Sequence, residues 1–270
     1  MNFDIKDFKN PNLKDFDGYR HMYEKSVNDP SSFFLEHALK ELDWFEKPSV
    51  GYSGKITKPT WFEDGVLNIS YNCIDRHAAK NPNKTAIIWQ GDEKENTKNI
   101  SYDQLLTEVS KLANGLKSIG VKKSDRVCIY MPMIPEAAYS MLACMRIGAI
   151  HSVVFGGFSP EAISSRILDS DCQYVITADE GIRGGKSVNL KENIDIALKN
   201  CPNVKKTIVF KYTNANIDWV DSRDICYEAL ISQMPHVCEP EKMLAEDPSF
   251  ILYTSGSTGK PKGVMHTTGG

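Results

Sequence analysis

From about residue 84 onward, short runs of apolar and β-branched residues alternate with longer segments whose apolar positions recur at helical spacing. Thr85 to Gln90 reads as a strand. Ser101-Tyr102-Asp103-Gln104 is a capping box opening a helix in which Leu105, Val109, Leu112, Leu116 and Ile119 recur at steps of four and three, closed by Gly120. Arg126 to Met131 is the second strand. Pro135 stands where a first helical turn accepts proline, and that helix runs through Ala138, Met141, Leu142 and Met145 to Gly148. Ala149 to Phe155 is the third strand. Ser159-Pro160-Glu161 starts the next helix, followed by a strand at Gln173 to Thr177, a helix at Leu190 to Lys199, and strands at Thr207 to Lys211 and Phe250 to Tyr253. Such alternation predicts an α/β fold: a parallel sheet with right-handed crossovers and helices on both faces, its ligands at the carboxyl ends of the strands.

The first 83 residues read differently. Helical patches lie around Lys14 to Val27 and Ser32 to Leu42, with Asp29-Pro30-Ser31-Ser32 as a start signal for the second. Lys47 to Gly65 carries Pro48, Gly51, Gly54, Pro59 and Gly65, and is expected to run extended. The predicted organisation is an N-terminal helical and extended segment, residues 1–83, packing on an α/β body, residues 84–270.

Composition narrows the function classes. The 270 residues hold 32 Lys and Arg against 35 Asp and Glu, a net charge of −3, which disfavours a dedicated nucleic-acid binder. The most apolar stretch, Ala137 to Phe155, is interrupted by Arg146 and His151, so no membrane span is expected. Asp4, Lys6 and Asp7 charge the start, where a secretory signal would need an apolar run. Seven cysteines without C-x-x-C spacing suit neither a zinc site nor a disulfide framework, and point to a reducing cytoplasm.

The segment with the clearest chemistry is Ser249 to Val264, a strand followed by a loop of glycines, hydroxyl residues and lysines. Gly256, Gly259 and Gly263 offer the backbone freedom that lets N–H groups converge on an anion, Thr254, Ser255, Ser257 and Thr258 add hydroxyls, and Lys260 and Lys262 add charge. A Walker A loop is excluded, because Thr254 stands where its first glycine belongs and Pro261 follows Lys260. Composition alone also fits a solvated glycine-serine loop. A second cluster is Arg183-Gly184-Gly185-Lys186, read as a strand-to-helix connection where two cations and exposed backbone donors could meet one phosphate, or as a solvated turn. Asp75-Arg76-His77 falls on an expected helix and reads as a surface pair or buried anchor. His151 and Cys144 read as packing residues, as do Trp44, Trp61, Trp89 and Trp219.

Tyr253 to Val264 resembles the phosphate-binding signature of the adenylate-forming superfamily, and several upstream segments are similar to AMP-forming acetyl-CoA synthetases. These are Trp61 to Asn68, Asn72 to His77, Tyr130 to Glu136, Met141 to Cys144 with Arg146 to Ala149, His151 to Pro160, and Asp179 to Lys186. The resemblance implies an acetate–CoA ligase that uses ATP, acetate and coenzyme A, with Mg²⁺, and forms acetyl-CoA, AMP and diphosphate through an acetyl-adenylate. It implies that Thr254, Ser255, Gly256, Ser257, Thr258, Gly259, Lys260 and Lys262 hold ATP phosphates. By the same resemblance Arg183, Gly184, Gly185 and Lys186 approach the phosphorylated nucleotide end of coenzyme A, with Phe155, Gly156 and Gly157 as the neighbouring wall. Family members are more than twice as long, so the expectation is the first part of such an enzyme, incomplete at its C-terminal side. The catalytic residues and Mg²⁺ ligands are expected downstream of Gly270, no metal ligand is assigned in this chain, and the 270 residues are expected to be inactive alone. A propionyl-CoA or other short-chain synthetase, and a non-catalytic nucleotide- or CoA-binding module, are the alternatives. No nucleic-acid or membrane partner is expected, and nothing in the sequence speaks to oligomeric state.

Overall fold

The computed structural model describes residues 15–255 and 261–270. Two compact units are distinguished: the described part of Met1–Val66 with Leu244–Glu246 and Gly269–Gly270, and that of Leu67–Met243 with Asp247–Thr268.

In the first unit, α1 (Phe16–Asn28) starts where the Asp15 side chain accepts from the Gly18 N–H at 2.8 Å. α2 (Pro30–Glu41) starts at the expected signal, with the Asp29 carboxylate accepting from the Ser32 N–H at 3.1 Å and Pro30 in the first turn. The glycine- and proline-rich stretch contains a hairpin, β1 (Tyr52–Lys55) with β2 (Lys58–Trp61), in which Gly54 faces Pro59. Its glycines and proline conceal the strands from a propensity reading, and aromatic packing holds them: Trp61 lies 4.9 Å from the Tyr52 ring and 5.1 Å from that of Phe34. β3 (Val66–Leu67) stands at the boundary between the units.

In the second unit a π-helical turn, Tyr71–Asp75, runs into the short α3 (Arg76–Ala78). The apolar run at β4 (Thr85–Gln90) is not a strand of the parallel sheet. It pairs antiparallel with β5 (Thr97–Ser101) in a separate hairpin, because the intervening residues 91–96 are too few for a crossover and are polar. α4 (Tyr102–Ser118) opens with both halves of the predicted capping box, and buries Leu105, Val109, Leu112 and Leu116. The order then runs β6 (Arg126–Tyr130), α5 (Pro135–Arg146), β7 (Ile150–Val153), α6 (Pro160–Ser170), β8 (Tyr174–Ala178), a hairpin of β9 (Gly181–Arg183) and β10 (Lys186–Val188), and α7 (Leu190–Leu198). β11 (Lys206–Phe210), β12 (Asp224–Cys226), α8 (Tyr227–Ser232), β13 (Met243–Leu244), β14 (Pro248–Thr254) and β15 (Lys262–Thr267) complete it.

Seven strands form one sheet in the order β12-β11-β8-β6-β7-β14-β15. The first six are mutually parallel, as predicted, whereas β15 returns antiparallel along the edge against β14. Alternate residues serve opposite faces. Val127 and Ile129 join the core under α4, α5 and α8, and Cys128 and Tyr130 join the one under α6 and α7. From β6 the chain passes to β7 on one side, then crosses over to β8 on the other. The strand order therefore reverses at the centre of the sheet, where ligands of such folds enter.

Candidate functional site

Because β6, β7, β8 and β14 are parallel, their exit loops lie along one edge of the sheet. Phe155, Gly156 and Gly157 follow β7 in a tight bend. The hydroxyl of Tyr130, at the end of β6, lies 2.9 Å from the Gly156 carbonyl and 3.1 Å from that of Phe158, and accepts from Asn193 Nδ2 at 3.2 Å. Burial pushes this phenol up, so it remains a proton donor to those carbonyls. A Cβ on Gly157 would stand 2.6 Å from the Phe155 ring and 3.3 Å from Arg183 Nη1, so the bend and the neighbouring cation approach closely only with glycine there.

Arg183 to Lys186 lies in the predicted connection from a strand, β8, to a helix, α7, and that connection folds as the β9–β10 hairpin with these residues at its tip. Arg183 and Lys186 are the paired residues flanking a two-residue turn, with Gly184 at φ 58° and Gly185 at φ 72°. Apart from its chain neighbours, no heavy atom lies within 4 Å of a Cβ built on either glycine, so the tip is open there. The Arg183 guanidinium stands 5.0 Å from the centre of the Phe155 ring, which joins the two predicted coenzyme A elements in one cluster. One expected backbone donor is already engaged: the Gly185 N–H donates to Asp92 Oδ2 at 3.0 Å. Sequence reading missed Asp92, which lies 93 positions away in the polar loop of the β4–β5 hairpin and carries no local signal.

Thr254 ends β14, Ser255 follows it, and Lys262 opens β15 directly opposite Thr254. Gly256, Ser257, Thr258, Gly259 and Lys260 lie outside the described residues. Gly263 is not the loop glycine the sequence suggested. It sits in β15 opposite Tyr253 without a positive φ, and a Cβ there would come within 3.2 Å of the Tyr253 ring. The Tyr253 hydroxyl donates to Asp169 Oδ2 at 2.7 Å, and burial together with this carboxylate pushes the phenol up. An open cavity of about 620 Å³ runs past Arg166, Asp169, Tyr253 and Pro261, a size suited to a small organic ligand.

Of the other residues expected to serve packing, Cys144 and Trp89 are buried, whereas Trp219 is exposed. Asp75 forms a two-point ion pair with buried Arg146, both contacts at 2.8 Å, and is the anchor the sequence suggested rather than part of a catalytic cluster. Cys144 is fully buried, and burial pushes its thiol up, away from the reactive thiolate. Trp89 donates its indole N–H to the Met133 carbonyl at 2.7 Å. Among the described residues no helix is long and apolar enough to cross a membrane.

Comparison with known proteins matches residues 74–270 to the family described as AMP-binding enzyme, and residues 19–73 to the family described as acetyl-coenzyme A synthetase N-terminus. The acetyl-coenzyme A synthetase of Gamma-proteobacterium EBAC31A08 is 56% identical over 265 residues, covering 98% of this chain and 41% of that protein. Acetyl-coenzyme A synthetase 2 of Pseudomonas aeruginosa is 55% identical over 256 residues, covering 94% of this chain and 40% of that protein. Among solved structures, acetoacetyl-CoA synthetase from Streptomyces lividans superimposes with a TM-score of 0.85 at 23% identity, over 94% of this chain and 38% of that one. The chain thus spans about two fifths of the length of the curated relatives it matches.

Proposed function

This chain belongs to the AMP-binding enzyme family, and from that membership we propose that it forms part of an acetate–CoA ligase, supplying the coenzyme A tip and the start and end of the ATP phosphate loop. The observation that carries the reading is the joint placement of Arg183, Lys186 and Phe155 beside an open glycine turn, at the strand exits of the sheet in a chain that is 56% identical over 265 residues to an acetyl-coenzyme A synthetase.

In the proposed reaction the acetate carboxylate attacks the α-phosphorus of ATP and diphosphate leaves. The coenzyme A thiol, losing its proton, then attacks the acyl carbon of acetyl-AMP and AMP leaves. Thr254, Ser255 and Lys262, with the loop between them, hold the β- and γ-phosphates, so that the diphosphate is oriented and its growing charge is met by fixed donors. Arg183 and Lys186 hold the phosphorylated nucleotide end of coenzyme A by charge-assisted hydrogen bonds, and Phe155 backs the Arg183 guanidinium. With Gly185 committed to Asp92, the phosphate is left to the two side chains and to the open face of the turn. Among the described residues no three His, Cys, Asp or Glu side chains converge on a point that could hold a metal. Every described cysteine is free, which supports a cytoplasmic setting.

From the matched share of the relatives we also infer that this chain alone does not complete the ligase. The 270-residue chain is expected to release no AMP in the presence of ATP, acetate and coenzyme A, whereas a fusion to the downstream portion of one of these relatives releases AMP only when acetate is present. Acetate-dependent AMP from the chain alone would contradict that inference. A folded fusion that binds ATP but gives none would contradict the ligase.

A further inference from the structure

Four ring and cation contacts follow one another along the exit edge of the sheet. Arg183 stands over the Phe155 ring at 5.0 Å, Phe155 meets Phe158 edge-on at 5.7 Å, and Arg166 lies 4.5 Å from the Phe158 ring and 5.4 Å from the Tyr253 ring. Tyr253 immediately precedes Thr254, so the series begins at the glycine hairpin tip and ends where β14 delivers its loop.

Arg166 is the unexpected member. It shares the buried face of α6 with Ile163, Ile167 and Ser170, and only 8% of its surface is exposed. Placing a guanidinium among apolar residues costs free energy unless its charge is met. Here it is met by two aromatic faces and by the Ala162 carbonyl, which accepts from Nη1 at 2.7 Å. A planar guanidinium can lie against two rings at once, which a lysine ammonium on a flexible stem cannot. Tyr253 is in turn held by Asp169, one helical turn from Arg166, so α6 grips the end of β14 at two points.

We propose that Arg166 is a positioning residue that couples the bend after β7 to the end of β14, so that a ligand held at the bend steadies residues 252–255. This rests on the coenzyme A and ATP reading above, which assigns those two segments to the two ligands.

Hydrogen–deuterium exchange on the 270-residue chain separates this role from simple packing. In Arg166→Met, exchange is expected to rise about threefold or more in residues 154–158 and 252–255 together, while 227–232 in α8 is unchanged. Arg166→Lys is expected to behave like the Met variant. A rise in one loop alone, in neither, or full restoration by Lys overturns the proposal. Should the Met variant fold poorly, Phe158→Leu keeps the helix intact and is expected to raise exchange at 252–255, across the contact; no change there overturns the proposal as well. Saturating coenzyme A is expected to slow both segments in the unmodified chain but only 154–158 in Arg166→Met, and equal slowing of 252–255 in both counts against coupling. Coenzyme A that slows neither segment of the unmodified chain contradicts the ligand reading, and the ligand-free comparison still judges Arg166.

Discussion

His151 lies in β7 with 3% of its surface exposed, its Nδ1 lacks a hydrogen-bond partner among the described residues, and its ring stacks on Phe250 at 5.6 Å. Phe250 stacks in turn on His266 at 4.5 Å, so three rings cross three strands. Burial makes the charged imidazole unfavourable and pushes its pKa down to about 4. The unfolded chain, with an ordinary histidine pKa of about 6.5, then binds the proton more tightly than the folded chain. Stability from the neutral ring is fully present above about pH 6.5 and is lost as the pH falls toward 4, by about 3 kcal/mol across that window. Urea unfolding midpoints are expected to drop over this range in the unmodified protein and to drop less in His151→Phe, which keeps a stacking ring without a titrating nitrogen. Identical pH profiles would show that the imidazole is not the group responsible.

Element by element, what was legible followed from local chemistry. The Ser101 capping box, the Asp29 cap and the four-and-three spacing of α4 each rest on residues within one turn of one another, and each is found in place. What escaped depends on distant partners: β5 against β4, the return of β15 along β14, and Asp92 on Gly185. The hairpin tip was legible as chemistry, two cations flanking two glycines, but its shape required the pairing of Arg183 with Lys186. Arg166 did leave a trace, a charge within the apolar stripe of Ile163 and Ile167, and a charge on a buried helical face asks what meets it. In the first unit the approach of α2 to the β1–β2 hairpin turns on Gly51, where a Cβ would stand 2.1 Å from the Ser31 carbonyl oxygen and 2.9 Å from the Leu35 nitrogen. Both obstacles are backbone atoms that cannot swing aside. Gly51→Ala is expected to destabilise this unit by about 1–3 kcal/mol. Limited proteolysis would register it as faster cleavage between Asn28 and Gly65, with 102–118 in α4 as resistant as before. Unchanged cleavage would mean that the backbone yields at little cost.

At the scale of the whole molecule, a near-neutral chain with an ordinary apolar content carries an α/β sheet whose exit edge gathers the residues that a synthetase reading assigns to its phosphate-bearing ligands. The two assigned clusters stand far apart in sequence, around residues 155–186 and 254–262, and reach the same edge because β7, β8 and β14 run parallel with β7 beside β14. Fold similarity at 23% identity accounts for the sheet alone, so the functional claim stands on the family match and on the side chains at that edge. Calorimetric titration of the 270-residue chain with coenzyme A, beside Arg183→Ala, tests that claim most directly. The account predicts saturable binding that Arg183→Ala weakens about tenfold or more, the loss expected from one charge-assisted contact. Equal affinity in the two proteins, or no saturable heat from either, would contradict it.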